Sequence, residues 1–422
     1  MSFKLNNHFA KIIYAFLCTF LMFFASKFLD LPPLIGNWEE KAWSILNLDL
    51  HDNYYPPGAS IALIPFLWTG PNYFLAIYFY YFLSAILYFS ICEIIPSKRL
   101  RIISLVALPA NTYLTWLCLS SADQVIELLS LLMFTYSAIK KRFALALFFG
   151  FFLCFTRPAF WVAYVIMIYV LASSLDFDFG RYRLILRKLS AIIVLLLVLL
   201  FNKVVFSTVN LATSSSDTIF YSHQKYHYLA LPKFDMDVFL ENGKSTNPII
   251  VSNESESFRY IENKKIRAAL ISIKENPQRF VFSQIQKIDS YFFPIQKIPN
   301  LPGAYQLSKS EDSIIIGDER LSWPITIGHM LFALYRAVWM LFFAATLVWL
   351  IMLIYLRIKL TLPEKLLLIP FLTGIVPGFI FYVETRFKIT SELIAIPLFM
   401  YTLKNFNQLS KSIYTIINRD RN

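Results

Sequence analysis

The sequence predicts an all-α polytopic membrane protein of about ten spans, and three observations predict it. Apolar runs of spanning length recur along most of the 422 residues. Charge is scarce: 57% of residues are hydrophobic and 16% charged, with a mean hydropathy of +0.55. A soluble domain is nearer ~45–50% apolar and ~25% charged. Finally, basic residues gather in the short breaks between apolar runs, as cytoplasmic loops require. These clusters are Lys98, Arg99, Arg101; Lys140, Lys141, Arg142; Arg181, Arg183, Arg187, Lys188; and Arg357, Lys359. Their placement accounts for the net charge of +12 by contact with the lipid bilayer and argues against nucleic acid as a partner.

In chain order the expected spans are 11–29, 72–95, 100–120, 122–139, 142–156, 158–174, 189–206, 326–356, 364–383 and 388–404. Lys4 and Lys11 precede the first, as in a signal peptide, but no small-x-small cleavage site follows, so it reads as an uncleaved helix. With the N-terminus inside, every basic cluster is cytoplasmic, and so is the tail with Lys411, Arg419 and Arg421. Residues 30–71 then form the first external loop, with the turn Asp52-Asn53-Tyr54-Tyr55-Pro56-Pro57-Gly58 inside it. The apolar piece Ile61 to Trp68 is too short to span and contains Pro65, which suits an interfacial helix. Residues 207–325 form an external region between spans seven and eight; Ile261 to Phe293 has apolar residues at helical spacing on either side of Pro277, as in two surface helices. The organisation is thus a membrane core over 1–206, an external region over 207–325, and a second membrane part with a cytoplasmic tail over 326–422. Cys18, Cys92, Cys118 and Cys154 lie in or at the ends of apolar runs and read as small buried residues.

Ionisable groups at the outer edge of such a bundle are costly and mark functional candidates. They are Glu39, Glu40, Asp49, His51 and Asp52 in the first loop, Asp123 opening the fourth span, Arg157 at the fifth-to-sixth turn, and Glu384, Arg386 and Lys388 between the last two spans. Carboxylates and cations converging on one face suit a reaction between an anionic lipid and a neutral nucleophile. Arginine matches phosphate oxygens with a planar fork, and a carboxylate takes the proton of an attacking hydroxyl. Plain structural roles stay open beside these: solvated loop charges for Glu39 and Glu40, turn formation for Asp49 and Asp52, helix capping for Asp123, snorkelling for Arg157, Arg386 and Lys388, and pairing with Arg386 for Glu384. His223 and His227 have no matching ligand cluster, and no metal site is expected.

The order of these features resembles the integral-membrane glycosyltransferases of the GT-C superfamily, which include protein O-mannosyltransferases and the aminoarabinose transferase of lipid A. The resemblance covers 11–206 and 326–404. Glu39-Glu40-Lys41-Ala42-Trp43 matches the family's Asp-Glu-x-x-Tyr element, with Glu for Asp and Trp43 for Tyr; it implies Glu39 as acceptor-activating base, with Glu40 and Asp52 as alternatives. Asp123 in Ser-Ser-Ala-Asp-Gln matches the second acidic position, and Thr156-Arg157-Pro158 the turn after the fifth span. Glu384-Thr385-Arg386-Phe387 is similar to the late Glu-x-Arg-Tyr element, implying Arg386 at the donor phosphate, with Arg157 and Lys388 as further phosphate contacts. Tyr54, Tyr55, Trp43 and Glu384 take supporting roles. The resemblance implies a polyprenyl-phosphate or polyprenyl-diphosphate sugar as donor and inversion at the anomeric carbon. It says little about the acceptor; a glycan, lipid or protein at the external face of a bacterial cytoplasmic membrane is expected. It allows a divalent cation without requiring one. Two other readings stand beside it: a polysaccharide polymerase or ligase, and a transporter or flippase of lipid-linked sugars.

Overall fold

The structure is a computed structural model that describes residues 2–28, 38–48, 56–72, 74–175, 181–206, 308–310, 313–315, 341–356, 359–374 and 389–403, with single residues near 274–281 and at 338. The helices are α1 (Ser2–Phe28), α2 (Trp38–Leu46), α3 (Gly58–Leu63), α4 (Leu75–Cys92), α5 (Lys98–Ala110), α6 (Thr112–Ser120), α7 (Ala122–Ile139), α8 (Phe143–Thr156), α9 (Trp161–Ser173) and α10 (Arg181–Phe206). They are followed by α11 (Leu341–Tyr355), α12 (Leu362–Thr373) and α13 (Ile389–Thr402). Apart from a three-residue antiparallel ladder, Ser308–Ser310 with Ser313–Ile315, the described chain is helical.

Four helices are long and apolar enough to cross a membrane: His8–Lys27, Leu75–Cys92, Ala122–Ile139 and Ile185–Val204. Phe143–Thr156, Pro158–Ser173 and Leu341–Tyr355 are apolar but shorter. Near Ile61, α3 runs into a 3-10 helix, Ile64–Asn72, at the interfacial piece. Of the stretch Ile261 to Phe293, Lys274, Pro277, Gln278 and Val281 are helical and exposed, and the remainder lies outside the described residues.

The single span expected at 100–120 is instead two helices. Pro109 cannot donate to the carbonyl of Leu105, four residues back, and its ring crowds that turn. The hydroxyl of Tyr14, on α1, donates to this carbonyl at 2.7 Å and replaces the missing bond. Two residues on, α5 ends at Asn111, whose side chain accepts from the Leu114 N–H at 2.9 Å and so starts α6.

α7 is the central helix, with nearly every side chain from Ala122 to Ala138 buried. α1, α10 and α11 lie at the flanks and turn apolar side chains outward, among them Phe16, Phe20, Leu196, Leu197, Leu341 and Ile351. A packed polar-bearing centre with a greasy exterior is the arrangement expected when the solvent is lipid. Aromatic pairs fix the antiparallel register of α1 on α4: Tyr14 with Phe89, Phe16 with Phe82 and Phe23 with Tyr78, at 5.5, 5.1 and 5.9 Å between centroids. Lys11 Nζ closes that register on Glu93 Oε2 at 2.6 Å.

Contacts between helices sort the turns into two ends. At one end Gly58 lies against Thr156, Trp38 against Ser121, and Thr390 against Glu127. At the other are Glu93 with Lys11, the Lys140-Lys141-Arg142 turn, and the start of α10, where Lys188 lies over Tyr169. The basic turns thus share one end, while Asp123 and Arg157 lie at the opposite one.

Tyr14→Phe is expected to leave the Leu105 carbonyl unsatisfied and to cost about 1–3 kcal/mol of stability. Pro109→Ala restores a backbone donor, so the double substitution should lose less than Tyr14→Phe alone. Thermal unfolding in detergent checks this, and equal losses in both would remove the account.

Candidate functional site

Three helix ends build the site. Ser121 is the N-cap of α7 in an extended conformation, yet its side chain accepts no helix N–H, and its hydroxyl donates to Asp123 Oδ1. Asp123 and Glu127 follow at i and i+4, one turn apart on one face. Pro158 disfavours helical geometry at the residue before it, and Arg157 is extended, at φ −142° and ψ 97°. α8 therefore ends there and the arginine side chain turns into the bundle. Its Nε donates to Glu127 Oε2 at 2.7 Å and its Nη2 to Asp123 Oδ2 at 3.2 Å. Thr390, in the first turn of α13, donates to Glu127 Oε1 at 2.5 Å, and Gln124 Nε2 donates to Asp123 Oδ2 at 3.2 Å.

The electrostatics favour this arrangement from both sides. A helix N-terminus stabilises anions and a C-terminus stabilises cations; Asp123 stands in the first turn of α7 and the arginine closes α8. Side-chain exposure falls from 15% at Arg157 to 8% at Asp123 and 0% at Glu127, so the group opens outward through the arginine and Asp123. Two carboxylates face one guanidinium, leaving one surplus negative charge when all are ionised. The hydroxyl and amide donors offset it.

Two glycines permit the close approaches that assemble these ends. A Cβ on Gly58 would lie 2.5 Å from Thr156 Oγ1 and 2.7 Å from the Phe155 backbone carbonyl carbon. The Pro-Pro-Gly turn is thus seated on the backbone that carries Arg157. A Cβ on Gly374, at the end of α12, would lie 2.3 Å from Ser391 Cβ, so the start of α13 rests directly on α12 and Thr390 reaches Glu127. α2 joins from the first loop: the Trp38 indole donates to Ser121 Oγ at 3.4 Å, and Ala42, one turn later, is fully buried.

Of the residues singled out from sequence, the structure brings Asp123 and Arg157 into direct contact. Asp123 sits in the first turn of α7 while Ser121 is the N-cap, and Arg157 is engaged with protein carboxylates. Glu39 is half-buried beside Trp38, Glu40 is exposed, and Trp43 is partly exposed one turn beyond Glu39. Among the described residues the ion pairs are Lys11–Glu93, Arg157–Asp123 and Arg157–Glu127, and neither Glu39 nor Glu40 joins one. Asp49, His51, Asp52, Tyr54, Tyr55, Glu384, Arg386 and Lys388 lie outside the described residues.

Glu127, Thr390, Ser121 and Trp38 were not singled out from sequence. Glu127 carried a signal: an acid four residues after Asp123, inside an apolar run. Thr390 carried none, because its partner is 263 residues away.

Among the described residues no group of three or more His, Cys, Asp or Glu side chains is placed to hold a metal ion. The two carboxylates do not fit a divalent cation as they stand, since Arg157 occupies the position between them that a cation would take. The fold and site define a helical protein with membrane-length helices and a buried carboxylate–guanidinium centre at one end. No family model, curated protein or solved structure matches the chain.

Arg157→Met is expected to cost about 3–5 kcal/mol, because it leaves two acids without their cation. Adding Asp123→Asn and Glu127→Gln removes the stranded charge and should recover most of that loss. Denaturant unfolding of the single and triple variants decides the point: a triple variant no more stable than Arg157→Met would show that the charges are not coupled.

Proposed function

We propose that the chain is an integral-membrane glycosyltransferase of the GT-C type, with about ten spans. It would move a sugar from a polyprenyl-phosphate donor to a glycan, lipid or protein acceptor. The observation that carries this reading is the Asp123–Arg157–Glu127 group, buried at one end of the bundle beneath the acid-bearing helix α2. The basic turns at the opposite end support a cytoplasmic assignment for that end, which makes the acidic end external. A bacterial cytoplasmic membrane is the proposed location.

In the proposed reaction a carboxylate takes the proton from an acceptor hydroxyl as its oxygen attacks the anomeric carbon from the face opposite the phosphate. The carbon–oxygen bond to phosphate breaks, polyprenyl phosphate leaves with the electron pair, and the configuration inverts. Glu39 is the proposed base and Asp123 the second acidic position, with Glu40 and Asp52 as alternative bases. Arg157 spends its Nε and Nη2 on Asp123 and Glu127. Its proposed task is therefore to hold Asp123 in place, while Arg386 and Lys388 meet the donor phosphate. Thr390 follows Lys388 by two residues in the sequence, so the hydroxyl that binds Glu127 belongs to the same segment as those cations.

A transporter of lipid-linked sugars is the second reading, and the interruption between α5 and α6 favours it, since broken helices mark many transporters. Asn111 is fully buried at the break and its Nδ2 has no partner among the described residues.

Purified protein in nanodiscs, given labelled polyprenyl-phosphate sugars and an acceptor panel, is expected to form a covalent product. Loss of a general base typically costs 10²–10⁴-fold, so Glu39→Gln should reduce the rate by roughly that factor, with Asp123→Asn and Arg386→Ala similarly impaired. Full rates in both Glu39→Gln and Arg386→Ala would end the mechanism. Lipid movement across proteoliposomes with no covalent product would replace it with transport.

A further inference from the structure

The break between α5 and α6 carries polar groups that the proposed reaction does not use. Pro109 frees the carbonyl of Leu105, and Tyr14 answers it from α1 at 2.7 Å. Three further groups at the break have no such answer among the described residues. Asn111 accepts the Leu114 N–H through Oδ1 at 2.9 Å. An N–H bonds only an acceptor, so this contact fixes which side-chain atom is oxygen and which is nitrogen. Nδ2 is therefore a true donor on a side chain that is 0% exposed, and it has no partner among the described residues. The backbone N–H of Asn111 turns back to the carbonyls of Ala107 and Leu108, at 3.1 and 3.2 Å. Among the described residues no N–H donates across the break to the carbonyls of Pro109 and Ala110, the last two residues of α5. Thr115, one turn along α6, meets the Tyr81 hydroxyl of α4 instead, at 3.4 Å.

Covalent geometry holds these groups within reach of one ligand. The Ala110 carbonyl carbon is bonded to the Asn111 nitrogen, which keeps its oxygen within about 6 Å of the Asn111 side-chain amide. Two hydrogen bonds of about 2.9 Å that share one atom cover a separation of that order. Carbonyls at a helix C-terminus lack an intrahelical donor, and those of α5 lead toward Asn111 and the start of α6. The mixture of groups decides the occupant. An amide donor repels a cation, and carbonyl oxygens repel an anion. A hydroxyl group suits both, because it accepts from the amide and donates to the carbonyls. Leu108 and Leu114, on either side of Asn111, are fully buried with it, so the occupant is enclosed and small.

We infer that the α5–α6 break is a binding site for a single water molecule. The water accepts from Asn111 Nδ2 and donates to the carbonyls of Ala110 and Pro109, and about three bonds is the usual complement of a buried water. Ordered waters are one of the means by which a broken helix in a bilayer satisfies its freed backbone groups. Because α6 runs directly to Ser121, the N-cap of α7, the water lies in the helix pair that leads to the candidate site. The inference rests on neither the glycosyltransferase nor the transporter reading.

The test is X-ray radiolytic footprinting of the full chain in nanodiscs, read by mass spectrometry. X-rays split a bound water in place, and its hydroxyl radical oxidises the side chains around it even where bulk solvent does not reach. Leu108 and Leu114 are expected to be oxidised several-fold more than Leu128 and Leu131, which are equally buried on α7. Pro109→Ala/Asn111→Ala removes the side-chain amide and lets α5 and α6 join as one helix, whose own N–H groups then meet the carbonyls. Oxidation of Leu108 and Leu114 should fall in that variant to the level of the α7 leucines. Equal oxidation of all four leucines in the unmodified chain would overturn the site, whether or not the variant folds. So would a double variant that keeps the excess at Leu108 and Leu114. An organic molecule retained by the unmodified chain in native mass spectrometry and lost from the double variant would also overturn it, by assigning the place to the hydroxyl of a ligand.

Discussion

Arg157 reaches two carboxylates one helical turn apart, and the acidic end of the molecule is arranged around that contact. Residues four apart on a helix are neighbours on one face, so one side chain entering from α8 meets both acids. A guanidinium presents donors along different edges of one plane, and here Nε and Nη2 are spent on Glu127 and Asp123 respectively. Taking three charges out of water is costly unless each is paired and its remaining valences are filled. Ser121, Gln124 and Thr390 supply those further bonds, so α13 and the α6–α7 junction are drawn to the same point as α7 and α8. The polar group thus specifies which helix ends meet, a task that apolar side chains buried in lipid perform poorly because they have no preference between protein and hydrocarbon.

Backbone groups follow the same rule as side chains. In a bilayer a carbonyl without a donor has no water to turn to, and Pro109 creates one such carbonyl at Leu105. Tyr14 answers it from another helix, so the break in α5 becomes a reason for α1 to stay in place. The start of α12 is settled locally instead, where Glu364 Oε2 accepts from both the backbone N–H and the hydroxyl of Thr361, at 2.5 and 2.7 Å. Elsewhere the limiting quantity is space. Gly58 and Gly374 remove a single carbon each, yet a Cβ at either position would meet its neighbour below van der Waals distance.

Much of the helix pattern was legible because apolar length and basic punctuation are properties of contiguous sequence. The expected fourth span, 122–139, coincides with α7, 142–156 differs from α8 by one residue, and 158–174 begins three residues before α9 and ends one after it. The 100–120 run failed for a local reason: hydropathy averages over Pro109 and Asn111, whereas hydrogen bonding does not. The site was legible only in part. Asp123 and Arg157 stood out as charges at span edges, but nothing in a linear reading said that they touch. Glu127 was masked by its apolar neighbours, and Thr390 and Trp38 gain their meaning only from partners far along the chain.

Once the arginine is committed to two acids, the chemistry available at this end changes. A cation already saturated by carboxylates is a poor first contact for a donor phosphate, since binding it would strand one of the buried acids. The same commitment fixes the position of Asp123, which the Ser121 hydroxyl, the Gln124 amide and the arginine hold together. Glu39 has the opposite character: half-buried on α2 beside Trp38, it stands outside the described ion pairs. One guanidinium thus holds the lower acid pair still, and α2 brings Glu39 to the same end of the bundle through the bond from Trp38 to Ser121.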